Sequence, residues 1–242
     1  MNVVDSISTS SPAAIESALG LLTKALQSKT DNLAIEAAFA MFEIARRPDG
    51  GSLLRGRISD LASLLTSKDE RLSGGAALTF GYLHQTVPEM TTPILIRHLS
   101  GGESSIVKTQ IARTLLQSKS VDETAWKVIE AYVKQPATGE VKVANLYAVA
   151  NSASRSQVFV PFVVQSLNDD NKYVKVAAIY AVNSLGPEAR IVALSSVNKL
   201  AADPNEDRQV RRVADLFLRG RLGDPSFKPD IPERPQRPQP RN

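Results

Sequence analysis

The chain has 242 residues, 43% of them apolar and 22% charged, with no Cys, two His and a formal net charge of +4. Without thiols there can be no disulfide, thiolate metal site or cysteine nucleophile, and two His leave little material for a zinc or iron centre. A charge of +4 is too mild to announce a nucleic-acid binder. The first thirty residues hold no basic stretch followed by an apolar run, so no secretory signal is expected there. No uncharged apolar stretch approaches the roughly 20 residues needed to span a bilayer. These features predict a cytoplasmic protein with no membrane contact, although an exported protein whose signal had been removed would read the same.

In chain order, apolar residues recur at helical spacing in paired stretches. The first members are expected over 13–28, 52–66, 90–100, 122–135, 156–168 and 187–202. The second members are expected over 31–47, 69–85, 103–118, 138–153, 170–185 and 205–219. Turn punctuation separates them, with Pro48-Asp49-Gly50-Gly51, Gly101-Gly102, Pro136, Gly186-Pro187 and Pro204 the clearest cases. Ser11-Pro12 and Gly186-Pro187 put Pro at a helix start, where its missing N–H costs nothing. Thr30/Asp31 and Asp169/Asp170 offer N-caps. The 28 Ala favour helix and no run alternates at period two, so the fold class is all-α.

The second members are copies of one another. VKVANLYAV from Val141 and VKVAAIYAV from Val174 share seven of nine positions at an offset of 33. Taking the first Val as position zero, the anchors are Leu33, Leu72, Val107, Val141, Val174 and Val210. Positions 4, 7 and 8 beyond each anchor are apolar or small in nearly every copy, which defines one helix face. A hairpin with one apolar face cannot bury it alone, whereas stacked hairpins share a continuous core.

This pattern resembles the HEAT repeat, carried by residues 168–186, NDDNKYVKVAAIYAVNSLG, in which an acidic turn precedes Val-basic, then small residues, then Leu-Gly. The resemblance extends over about residues 10–219. It implies a right-handed α-solenoid of about six hairpins, with residues 1–10 a flexible start, 11–219 the repeat domain and 220–242 a tail. It also implies a ladder between repeats. The basic residue after the anchor is Lys108, Lys142, Lys175 or Arg211, and the matching acids are Glu103, Glu140, Asp169/Asp170 and Asp207. Ala34 and Ser73 break the basic column in the first two repeats. In the last repeat, Arg208, Arg211, Arg212, Asp215 and Arg219 suit a helix that caps the array.

Six residues after each anchor lie Phe39, Leu78, Arg113, Tyr147, Tyr180 and Leu216, on the side that second helices of such hairpins usually turn to a concave surface. Tyr gives contact area at low entropic cost and keeps a polar tip. Lys108, Arg113, Lys142, Tyr147, Lys175, Tyr180 and Arg211 are therefore the candidate partner-binding residues, and a protein is the expected partner. The competing use of the same residues is internal: Tyr packing between repeats and Lys completing the ladder.

No catalytic, metal or cofactor site is expected. His84 and His98 close helices without any His-Glu pair and fit cation-capable residues beside helix C-termini. Ser73-Gly74-Gly75-Ala76-Ala77 falls inside a helix and reads as close packing rather than a phosphate loop. Enzymes do occur on HEAT-like folds. The di-iron deoxyhypusine hydroxylases need His-Glu pairs that this chain lacks, whereas bilin lyases have no simple motif. The alkylpurine DNA glycosylases use aromatics with an acid, but the sole Trp, Trp126, falls on a first helix and reads as packing. The leading function is a non-catalytic scaffold or adaptor. The alternatives are a nucleic-acid-binding solenoid and a HEAT-like enzyme or enzyme subunit. Residues 1–219 carry a net charge of only +2, against the nucleic-acid reading.

From Gly220 the composition changes, and six of the 14 Pro lie in the last 23 residues. This predicts a disordered Pro-rich tail in which Pro229-x-x-Pro232-x-Arg234 and Pro232-x-x-Pro235-x-Arg237 match basic Src-homology 3 ligands.

Overall fold

A computed structural model describes residues 10–28, 31–152 and 156–222. The tail and its Pro-rich motifs, like Thr30, lie outside the described residues. Those described form helices and turns with no strand among them. The helices are α1 (Pro12–Leu26), α2 (Asp31–Ala45), α3 (Gly50–Leu54), α4 (Ile58–Leu64), α5 (Glu70–Thr86), α6 (Pro88–Leu99), α7 (Ser105–Leu116), α8 (Glu123–Lys134), α9 (Gly139–Ala150), α10 (Val160–Ser166), α11 (Lys172–Leu185), α12 (Pro187–Ala202) and α13 (Arg208–Leu218). Each expected stretch is found within a few residues of its predicted ends, and two of them are broken.

The first break is in the first helix of the second hairpin, where a 3₁₀ turn at Arg55–Arg57 separates α3 from α4. Gly56 has low helix propensity, and α3 itself is held by backbone proximity. A Cβ on Gly50 would collide with the carbonyl oxygens of Ile44 and Ala45, and one on Gly51 with the Thr86 side chain. The second break comes before α10, where residues Ser156–Phe159 wind as 3₁₀. Pro161 has no N–H to continue the ladder back into that turn.

The contacts group the chain into two compact units, divided between Phe159 and Val160. In the first unit the second helices α2, α5, α7 and α9 pack in sequence, and α4, α6 and α8 pack in a second layer. In the second unit α11 packs on α13, and α10 and α12 form the other layer. The predicted face accounts for the cores. Val107, Ile111, Thr114 and Leu115 of α7 are buried, as are Val174, Ala178, Ala181 and Val182 of α11. Each large apolar side chain so buried stabilises by about 1.5–3 kcal/mol. The register fails at one end: the anchor Leu33 is 51% exposed, and its neighbour Ala34 is buried instead.

Helix starts are chemically marked. Ser11, Asp69, Ser104, Asp122, Asn171 and Asp207 each accept a backbone N–H from the first turn of the helix they precede. The cap of α11 is thus Asn171, not Asp169 or Asp170. Asp169 instead accepts the N–H of Asn171 at 2.9 Å and shapes the turn before it. Trp126 is buried, its ring edge-on to Phe159 at 6.0 Å, in agreement with a packing role. Gly74 and Gly75 do not mediate close packing, since a Cβ on either meets nothing within 4 Å. Close approach occurs nearly two turns later at Gly81, where a Cβ would lie 3.3 Å from Thr114 Oγ1 of α7.

Candidate functional site

The column six residues beyond the anchors reaches solvent in both units. In the first unit Phe39 of α2 is 42% exposed and Leu78 of α5 is 41% exposed. Arg113 of α7 is exposed, and Tyr147 of α9 is half-buried. In the second unit Tyr180 of α11 and Leu216 of α13 are both half-buried. The reason is helical geometry. At 100° per residue, position 6 lies on the side of the helix away from positions 4, 7 and 8, so a large residue there keeps a flank accessible. Burial holds the Tyr147 phenol above its ordinary pKa, so it stays a neutral hydroxyl.

Two further aromatics, absent from that column, extend the exposed strip in the first unit. Phe42 of α2 stands 6.1 Å from Phe39 and meets Tyr82 of α5 edge-on at 5.5 Å, with Tyr82 36% exposed. The Arg46 guanidinium lies 5.7 Å from the Phe42 ring while pairing with Glu43 at 3.1 Å. A sequence signal for these two was available. Phe42 and Tyr82 lie three and four residues beyond Phe39 and Leu78, on the same side of their helices.

Between α5 and α7 this strip borders a groove of about 500 Å³. Leu78, Tyr82 and Gln85 line it from α5, and Gln110, Arg113 and Gln117 from α7. Lys119 and Ser120, after α7, also line it. Its lining has two permanent cations and no carboxylate. Arg113 has no ion-pair partner among the described residues.

The basic residues separate into different environments. Lys175 of α11 donates from Nζ to Glu206 Oε2 at 2.5 Å, with both side chains largely buried, and Lys172 donates to Asp207 at 3.1 Å. Ladder rungs therefore form in the second unit, but Lys175 pairs with Glu206, which was not among the matching acids, and Asp207 pairs with Lys172. Glu103 is taken by His98, whose Nδ1 lies 2.6 Å from Oε1, leaving it unavailable to a ladder. Lys108 of α7 and Glu140 of α9 have no ion-pair partner among the described residues. Lys142 is half-buried on α9. Arg211 is half-buried on α13, and its Nε is enclosed without a hydrogen-bond partner.

Both His lie in the last turn of their helices, but His84 is not a solvated cation. It is buried, bonds Thr91 Oγ1 through Nδ1 at 2.9 Å, and is pushed below the ordinary imidazole pKa by burial. Among the described residues no group of three His, Cys, Asp or Glu is placed to hold a metal ion, and no helix is long and apolar enough to cross a membrane.

No family model and no curated protein matches the chain. Solved structures do match in fold. A crystal structure of computationally designed armadillo repeat proteins for modular peptide recognition aligns with a TM-score of 0.52 at 17% identity, over 83% of this chain and 98% of that one. The archaeal HEAT-like repeats protein from Thermococcus onnurineus NA1 aligns with a TM-score of 0.55 at 17% identity, over 91% and 93%. An engineered protein aligns with a TM-score of 0.51 at 24% identity, over 89% of this chain and 62% of that one. The fold is that of armadillo- and HEAT-like helical repeats.

Proposed function

We propose that this protein is a non-catalytic scaffold or adaptor of the cytoplasm that binds a protein partner through the exposed flank of its second helices. The observation that carries the reading is the strip of exposed Phe39, Leu78 and Tyr82 with half-buried Phe42, near Arg113. Large apolar side chains held on packed helices offer contact area whose ordering cost has already been met in folding. Lys108, Lys142, Tyr147 and Tyr180 extend the same use to other repeats. Arg211 and Lys175 serve it less directly, Lys175 because it is engaged with Glu206. The designed armadillo proteins of similar fold, described as made for modular peptide recognition, support a peptide-like ligand.

The test is capture from a lysate with the full chain as bait, with and without nuclease, followed by mass spectrometry. The wild type is compared with a Leu78→Glu/Tyr82→Glu variant. A protein retained after nuclease and lost in the variant is the expected result. If all bound material vanishes with nuclease, a nucleic-acid-binding role replaces the scaffold.

A further inference from the structure

Resting on the protein-binding reading, we infer that the groove between α5 and α7 takes a short acidic segment of its partner, with an apolar side chain on Leu78 and Tyr82 and a carboxylate on Arg113. Three features select that chemistry. The first is charge: Arg113 and Lys119 line the groove, no acid does, and neither cation has an ion-pair partner among the described residues. A guanidinium presents a planar fork that matches a carboxylate with two parallel hydrogen bonds, and an unengaged one has no internal bond to give up. The second is the apolar border, where Leu78 and Tyr82 stay more than a third exposed although the neighbouring turns of α5 are in the core. The third is the row of amides from Gln85, Gln110 and Gln117. Each side-chain amide donates and accepts, so it can bond both the N–H and the C=O of an extended backbone that would otherwise be desolvated without partners.

A groove of about 500 Å³ holds one bulky side chain with a few residues of backbone, not a folded domain. Nucleic acid fits it less well. Two cations neutralise about two phosphates, which gives weak binding, and the apolar border adds nothing for a sugar-phosphate chain.

The probe is a random 12-residue phage-displayed peptide library panned on the full-length protein. An enriched peptide is then synthesised and its affinity measured by fluorescence anisotropy. The expected outcome is enrichment of sequences that combine Asp or Glu with Leu, Phe or Trp. Arg113→Glu should weaken the peptide at least 10-fold, and Leu78→Asp should do so by a similar factor. Arg113→Lys should lose less than Arg113→Glu. Circular dichroism keeps the comparison among folded proteins, and both residues are exposed enough for the fold to survive. Enrichment of basic or neutral sequences overturns the inference, as does an affinity unchanged by Arg113→Glu, or tighter binding of a 20-nucleotide single-stranded RNA than of any peptide. The two readings fail separately. A nuclease-resistant protein captured equally by wild type and Arg113→Glu removes this groove and leaves the scaffold standing. Capture of no protein at all removes both.

Discussion

Cations do different work in the two units. In the second unit Lys175 of the basic column reaches Glu206, and Lys172 beside it reaches Asp207, tying α11 to the start of α13. Arg190 of α12 adds a third tie, donating to Asn183 Oδ1 and to the Phe217 carbonyl while stacking 4.3 Å from the Phe217 ring. In the first unit, Lys108 and Arg113 of α7 have no such partners. The acid that a ladder would require is drawn to His98, and α7 is joined to α8 by the neutral pair Thr109–Tyr132 at 3.1 Å. Exposed large apolar residues occur on both kinds of helix in each unit: Phe39, Leu78 and Tyr82 on second helices and Leu21 on a first helix in the first, Tyr173 on α11 and Ile191, Val192 and Leu194 on α12 in the second. A repeated basic residue is thus not one functional column. Where an acid is within reach it becomes structure, and where none is it stays available to a partner.

Substitutions can break or sharpen this contrast. The largest effect is expected from Arg190→Ala, which removes two hydrogen bonds from a charged donor together with a cation–π contact. It should destabilise the protein by about 3 kcal/mol in urea unfolding followed by far-UV circular dichroism. Lys175→Met should cost about 2 kcal/mol, because it leaves the Glu206 carboxylate enclosed without its cation. Lys108→Met, the same substitution in the same column, should stay within about 0.5 kcal/mol. Equal losses at the two positions would abolish the contrast.

Acid sensitivity gives a subtler comparison. The Arg71 side chain and N–H hold Asp69 down to about 2 from an ordinary value of 3.8. The Gln209 N–H, then Lys172, holds Asp207 below its ordinary range. Because both folded values lie below the unfolded ones, their stabilisation is complete above about pH 4 and is lost as the pH falls through the folded pKa. Asp69→Asn should therefore flatten the stability profile between about pH 4 and 2 while leaving the Asp207 share intact. Asp207→Asn should do the converse, as read by unfolding midpoints across that range.

A small gain in stability is expected at Asn145, the core position of α9 whose counterpart in α11 is Ala178. Asn145 is buried, and its Oδ1 has no hydrogen-bond partner. Asn145→Ala should raise Tm by about 2–4 °C, by relieving an unsatisfied buried acceptor worth about 1 kcal/mol.

Much of the molecule could be read from the chain alone because helical periodicity is a local property. The pairing of helices, the buried positions 4, 7 and 8, and the accessible position 6 all follow from 3.6 residues per turn and from which residues avoid water. The Pro-marked helix starts at Pro12 and Pro187 follow from the same local chemistry, although the cap of α11 falls at Asn171 rather than at Asp169 or Asp170. Tertiary structure decided what depends on distances between turns. It placed the split between Phe159 and Val160, seated Gly81 against Thr114 and buried His84 with its ring bonded to Thr91. It also determined which lysine met an acid. A charge column in sequence states only that a cation recurs. Whether it is spent inside the fold depends on whether a carboxylate of the next hairpin comes within about 3 Å, and no periodicity in the chain encodes that distance.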